Sequence, residues 1–261
     1  MADSFYIPKE RKPPAKPDGE DAHFFFQKAQ VIGVADGVGG WAKKGVDAGE
    51  YARELMRNAA DAVKGCSVPA AVNPKSVLAS AFAKTESPGS STACIISLAG
   101  SRLRAVSIGD SGFAVIRGGR TVYRSPAQQS RFNAPYQLGG TSGEGLESAA
   151  EMEVEVESGD VVIAATDGFF DNVFPEEAEG MVGRCLSHGM TSAMVARELA
   201  TAAHSRSRQS DAVVPFGVAA REAGMEYSGG KADDITVVVA YVMPYVNSCC
   251  LHSFTGYLWS F

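Results

Sequence analysis

Short apolar runs that stop or start at a carboxylate recur along this chain, and that recurrence limits it to folds in which several strand ends meet. Val31–Trp41, read V-I-G-V-A-D-G-V-G-G-W, shows the pattern in full. Val31, Ile32, Val34 and Ala35 suit a buried strand because branched side chains pack well on a pleated surface. Asp36 ends the run, and Gly37, Gly39 and Gly40 then let the backbone approach a ligand without a Cβ in the way, so a main-chain carbonyl can join a site. A lone Asp-Gly is a turn. Here the same arrangement returns at Gly109-Asp110-Ser111 after Leu103–Ile108, at Thr166-Asp167-Gly168 after Val161–Ala165, and at Asp233-Asp234 before Ile235–Tyr241, with Gly19-Glu20-Asp21 upstream. Strands sharing a sheet would bring these carboxylates together. Uncompensated carboxylates at close range raise one another's pKa, so such a cluster calls for a bound cation.

The elements around the acidic loops read as α+β. Tyr51, Leu55, Ala59 and Val63 form one apolar stripe on a helix over 47–63, with Arg53 and Arg57 facing away. Asn73-Pro74 opens a second helix carrying Val77, Leu78, Ala81 and Phe82. Runs at 92–99, 103–108 and 113–117, broken by glycine turns, predict an antiparallel meander. Residues 125–150, rich in Ser, Gln, Gly and Asn, predict a long loop placed as a flap. Helical patterns follow at 175–186, 192–204 and 213–223, and 231–241 returns as a strand. Strands in runs and helices in pairs favour antiparallel sheets over alternating βαβ units.

Composition narrows the chemistry. A formal net charge of −6 excludes the basic footprint of a nucleic-acid binder. Five cysteines without a C-x-x-C pair point to a reducing compartment, and the four histidines lack zinc-site spacing. Oxygen ligands therefore dominate, which favours magnesium or manganese. The Pro-rich, basic start at 1–19 reads as a solvated arm, neither signal nor transit peptide, and the expected location is cytoplasmic or nuclear, organellar only if a longer N-terminus precedes it. Residues 244–261 read as a frayed tail too polar to span a membrane.

Taken in order, Gly19-Glu20-Asp21, Asp36-Gly37-Val38-Gly39-Gly40-Trp41, Gly89-Ser90-Ser91-Thr92, Gly109-Asp110-Ser111, Thr166-Asp167-Gly168-Phe169-Phe170-Asp171 and Lys231-Ala232-Asp233-Asp234-Ile235-Thr236 resemble the metal-dependent type 2C protein serine/threonine phosphatases, over residues 20–243. The resemblance implies an α-β-β-α sandwich of two antiparallel sheets flanked by helices. It also implies hydrolysis of phosphoserine and phosphothreonine in a phosphoprotein substrate by a hydroxide bridging two Mg2+ or Mn2+ ions in a monomeric subunit, without stable membrane association. Carried over position by position, Asp36 is the bridging ligand. Glu20 and the Gly37 carbonyl serve the second ion, and Asp167 and Asp233 the first, with Asp36 and Asp167 as the catalytic pair. Asp21 is outer-shell, and Thr92 and Ser111 are structural. Asp110 and Asp171 match a weaker third metal position or, equally, serve hydrogen-bonded turns. Two positions depart from the pattern: Val38 replaces a proposed proton donor, and Lys16 replaces a phosphate-binding arginine. These departures leave a metal-binding pseudophosphatase scaffold as the alternative. A structural calcium protein would need a D-x-D-x-D-G loop that is absent from the sequence.

Overall fold

The computed structural model describes residues 2–10, 18–66, 72–140, 145–246 and 255–260, with 245–246 and 255–260 described by backbone alone. The chain opens with β1 (Ala2–Ile7), β2 (Asp21–Phe26) and β3 (Val31–Asp36). Two helices follow, α1 (Ala48–Lys64), capped by Asp47 on Gly49 N, and α2 (Pro74–Phe82), capped by Asn73 on Ser76 N. The middle is strand: β4 (Ser90–Ser91), β5 (Ala93–Ala99), β6 (Arg102–Ile108), β7 (Gly112–Arg117) and β8 (Arg120–Arg124). Short β9 (Gln129–Arg131), β10 (Ala134–Pro135) and β11 (Leu138–Gly139) lead to β12 (Ala150–Glu155) and β13 (Val161–Ala165). Then come α3 (Asp167–Phe170), α4 (Pro175–Ser187), α5 (Ser192–Ser207) and α6 (Pro215–Glu222). The long strand β14 (Ile235–Val246) and β15 (Thr255–Ser260) close the fold.

Two antiparallel sheets result, in the orders β12-β6-β5-β3-β2 and β1-β14-β13-β7-β8, with β15 added to β14. Strand alternation divides their side chains between layers. Ile32, Val34, Cys94 and Ile96 from one sheet share a buried cluster with Phe113, Val115, Val162, Ala164, Val238 and Ala240 from the other. Their neighbours Val31, Ala35, Ile95 and Val106 pack beneath Tyr51, Leu55, Ala59 and Leu78 of α1 and α2. On the far side Ile163, Ala165, Val237 and Val239 meet Val182, Val195, Leu199 and Ala203 of α4 and α5. The central strands are covered on both faces, which is why they read as unbroken apolar runs. The architecture is the expected α-β-β-α sandwich.

The same alternation sets up the site. Asp36 continues the inward parity of Ile32 and Val34, and lies in register with Asp21 of β2. Thr166 continues Val162 and Ala164, while Thr236 and Asp234 continue Val238. Polar groups thus leave the facing sides of both sheets at one end of the sandwich.

Three expectations change. Residues 2–7, read as part of a solvated arm, form an edge strand in register from Ala2↔Ala240 to Ile7↔Ile235. Phe5 and Ile7 pack on the α4–α5 layer, while Asp3 accepts from Ser192 Oγ and Ser4 Oγ meets His23 Nε2 at 2.8 Å. The polar half of this strand finds partners distant in sequence, so local hydrophobicity hides it. The expected flap over 125–150 is built instead from a β9–β10 hairpin and a β11–β4 pairing that buries Leu138. In the tail, residues 255–260 pair with 241–246 rather than fraying. No helix among the described residues is long and apolar enough to cross a membrane.

Candidate metal centre

The backbone around the two first acidic loops is tied together before any side chain is considered. Gly37 N donates to Glu20 O at 3.0 Å, and Val38 N to Ser90 O at 2.9 Å. A Cβ on Gly37 would lie 2.5 Å from Ala48 O, so glycine there is a packing requirement. Arg53, expected to face away, donates to Gly19 O at 2.9 Å and pairs with Asp47 at 3.2 Å, which fastens α1 to the residue before Glu20. Thr92 Oγ1 accepts from Asp36 N at 3.1 Å and shares a 2.7 Å hydrogen bond with Ser111 Oγ. Both hydroxyls hold the end of β3 in place.

The acidic side chains then converge. Burial, followed by the charges of Asp167, Asp21, Asp233 and Asp110, pushes the Asp36 carboxyl well above the usual carboxylate range. Burial also raises Asp21, with Asp234 adding to it, although Asp21 Oδ2 accepts from Thr236 Oγ1 at 2.7 Å and Thr166 Oγ1 at 2.8 Å. Asp110 is pushed up to about 7, by burial and then by Asp167, while Gln129 donates to its Oδ2. Asp171 is pushed up to about 6, again chiefly by burial. Asp233 is raised by burial and by Asp167. Glu20 lies over Gly39, where a Cβ would sit 2.9 Å from its Oε2.

Three buried oxygens in this cluster, Asp21 Oδ1, Asp110 Oδ1 and Asp167 Oδ1, have no hydrogen-bond partner among the described residues. An unsatisfied buried acceptor is costly, and hard divalent cations are the groups that such all-oxygen donors satisfy. The residues present therefore fit Mg2+ or Mn2+. Among the described residues no three carboxylate, imidazole or thiolate groups already close on one point. Instead the Lys231 ammonium lies between Asp167, Asp171 (2.7 Å) and Asp233 (3.3 Å). Burial pulls this lysine down, but the three carboxylates together outweigh it and hold it well above an ordinary lysine.

The structure thus brings Glu20, Asp21, Asp36, Gly37, Asp110, Asp167, Asp171 and Asp233 to one end of the sandwich; Lys16 lies outside the described residues. Sequence reasoning missed Lys231, quoted only as the first residue of a motif, although it stands two residues before Asp233. It also missed Asp234, whose carboxylate accepts from Tyr6 Oη (2.8 Å), Lys9 N (2.9 Å) and Glu20 N (3.2 Å). Lys9 Nζ in turn lies 3.6 Å from Asp233, half exposed at the rim. No motif flagged Tyr6 or Lys9. On the other side of Lys231, the Phe216 ring lies 5.1 Å from Nζ and meets Tyr227 edge-on at 4.8 Å. Tyr227 opens onto a groove of about 670 Å³ lined by Arg221, Met225 and Glu226.

No family model matches the chain. Among curated proteins it is 45% identical over 243 residues to probable protein phosphatase 2C 55 of Arabidopsis thaliana, covering 93% of this chain and 51% of that protein. Against probable protein phosphatase 2C 80 of the same plant the identity is 44%, covering 93% and 58%. The chain spans about half the length of these two relatives. The human protein phosphatase PTC7 homolog is 37% identical over 251 residues, covering 88% of this chain and 81% of that one. Among solved structures, the photosystem II phosphatase PBCP superposes with a TM-score of 0.84 at 33% identity, covering 93% and 98%. The catalytic domain of the serine threonine phosphatase PstP, solved with two manganese ions, shares the fold at a TM-score of 0.63 and 18% identity, covering 93% and 98%.

Proposed function

The chain belongs to the protein phosphatase 2C family, and we propose that it is a protein serine/threonine phosphatase working with two magnesium or manganese ions. The observation that carries this reading is the set of orphaned carboxylate oxygens on Asp21, Asp110 and Asp167, with the protons of Asp21 and Asp110 held abnormally tightly. Asp36, Asp167 and Asp233 would hold one ion, and Asp36, Glu20 and the Gly37 carbonyl the other. Bound ions of this kind acidify a coordinated water towards a pKa of about 7 and neutralise charge on the phosphoryl oxygens.

The chain's own groups do the rest. Asp21, fixed by two threonine hydroxyls from the opposite sheet, keeps Oδ1 without a hydrogen-bond partner among the described residues and can orient water there. Lys9, at the rim beside Asp233, would meet the substrate phosphate, a role the family resemblance gives to Lys16. Residues flanking the phosphorylated one would lie along the groove that starts at Tyr227. Val38 has no proton to offer the departing alkoxide, so that proton comes from water. Among the described residues nothing favours a pseudophosphatase, since each carboxylate that this reading assigns to an ion is present. The free thiols of Cys66, Cys94 and Cys185 suit a cytoplasmic or nuclear setting.

The test is turnover of a phosphothreonine peptide by purified protein. Activity should require Mn2+ or Mg2+ and vanish in EDTA. Asp36→Asn and Asp167→Asn should each lower kcat by on the order of 10³ with an unchanged circular dichroism spectrum. Full turnover in metal-free buffer, or in both variants, overturns the reading.

A further inference from the structure

Tyr123 and Arg124 end β8 with their side chains on opposite faces of the sheet. Tyr123 turns inward and meets the Phe113 ring at 5.3 Å, packed against the inter-sheet core. Arg124 therefore turns outward, towards α3, where its guanidinium lies 4.8 Å from the centre of the Phe170 ring. Both partners run into the site. Arg124 stands opposite Ala114, on the strand that follows Asp110, and Phe170 directly precedes Asp171. Ser125 pins this end of β8: its N donates to Phe113 O and its Oγ accepts from Phe113 N, each at 2.9 Å.

The turn that carries Asp171 thus has two cations beside it, each backed by an aromatic ring. Lys231 Nζ lies 5.1 Å from the Phe216 ring and is committed to Asp167, Asp171 and Asp233. Arg124 is not committed in this way. Burial pulls its guanidinium below the ordinary arginine value and the Asp171 charge holds it up, yet it makes no hydrogen bond or ion pair among the described residues. Its side chain is exposed. Arg120, at the start of the same strand, is by contrast spent on Glu179 at 3.4 Å. A guanidinium without a carboxylate presents five N–H donors in a planar fork, and the ring behind it fixes the plane of that fork.

We propose that Arg124 is a specificity-determining residue whose fork pairs with the carboxylate of an acidic residue flanking the phosphorylated one, so that the enzyme favours acidic phosphopeptides. This rests on the phosphatase reading above. A net charge of −6 and the acids of the site would by themselves repel such a peptide, so the preference needs a cation at the site that is not already spent on the protein's own carboxylates. Lys231 is spent in that way and Arg124 is not.

Three substrates are compared in Mn2+: phosphothreonine peptides flanked on both sides by glutamates or by alanines, and p-nitrophenyl phosphate, which has no flanking residue. The native chain should show a KM about fivefold lower for the glutamate peptide than for the alanine peptide at equal kcat, because an exposed pair adds binding shared by ground and transition states. Arg124→Met and Arg124→Gln should each abolish that difference and leave the alanine peptide and p-nitrophenyl phosphate unchanged. Arg124→Lys, which keeps the charge without the fork, should retain part of it. Arg120→Met, which removes a positive charge from the same strand, should keep it in full. No preference in the native chain, the same KM change on all three substrates in the neutral Arg124 variants, or an equal loss in Arg120→Met overturns the proposal while leaving the phosphatase reading intact. A native chain that turns over none of the three substrates overturns both.

Discussion

Asp234 shows how a single residue carries information between the N-terminus and the metal ligands. It is 2% exposed, and its two oxygens accept from Tyr6, Lys9 and the backbone N of Glu20. Its neighbour Asp233 turns the other way, towards Lys231 and the proposed ions. Adjacent residues in extended chain point to opposite sides, so Asp-Asp here supplies one candidate ligand and one anchor. Asp234→Asn replaces one acceptor by an NH2 group and leaves a buried donor facing a donor. The expected cost is about 2 kcal/mol of stability, together with weaker metal binding through a displaced Glu20. Tyr6→Phe removes one hydrogen bond and should cost about 1 kcal/mol. Chemical unfolding with and without Mn2+ checks both. If Asp234→Asn is no more sensitive to metal removal than Tyr6→Phe, Asp234 is a structural anchor only.

The element that most changes the picture is β1. Six register pairs join it to β14. Phe5 and Ile7 add apolar contacts to the α4–α5 layer, and Tyr6 and Lys9 reach the site. A solvated arm could be removed without effect. Deleting residues 2–8 should instead lower the melting temperature by on the order of 10 °C, since exposure of two large apolar side chains and an unpaired strand edge amounts to several kcal/mol in a domain of this size. Differential scanning calorimetry of the truncated chain distinguishes the two cases. An edge strand of the other sheet shows why β1 escaped notice: β12 alternates Glu151, Glu153 and Glu155 outward with Met152 and Val154 inward, a pattern visible in the sequence alone. In β1 one face, Asp3, Phe5 and Ile7, meets Ser192 and the α4–α5 layer, while the other, Ala2, Ser4 and Tyr6, meets the inter-sheet core, His23 and Asp234. No local period records that.

At the scale of the whole molecule, the carboxylate cluster makes stability depend on pH and on metal together. In the folded chain Asp110 is pushed up to about 7 and Asp171 to about 6, and Asp21 and Asp36 are raised well above their ordinary values. Unfolded, these groups titrate near 4. Between about pH 4 and pH 7 the folded form therefore holds protons that the unfolded form has released, so stability of the metal-free protein falls as pH rises through that window. The melting temperature in EDTA should drop by on the order of 10 °C from pH 5 to pH 7.5. With Mn2+ present the drop should shrink or reverse, because the cation takes the place of those protons. An EDTA-treated protein whose melting temperature rises over that range would show that the cluster is not charge-strained. The sequence by itself determined the α+β class with antiparallel sheets and which carboxylates end its strands. Both are local properties: a buried strand needs an unbroken apolar run, a helix needs its 3.6-residue stripe, and each acid follows or precedes such a run directly. Tertiary structure alone decided what those acids meet. Lys231 reaches Asp171 across the fold, Thr166 and Thr236 hold Asp21 from the opposite sheet, and Tyr6 and Lys9 close on Asp234 from the other end of the chain. Such pairs depend on the register between strands far apart in sequence and on single polar atoms, and neither leaves a periodic trace along the chain.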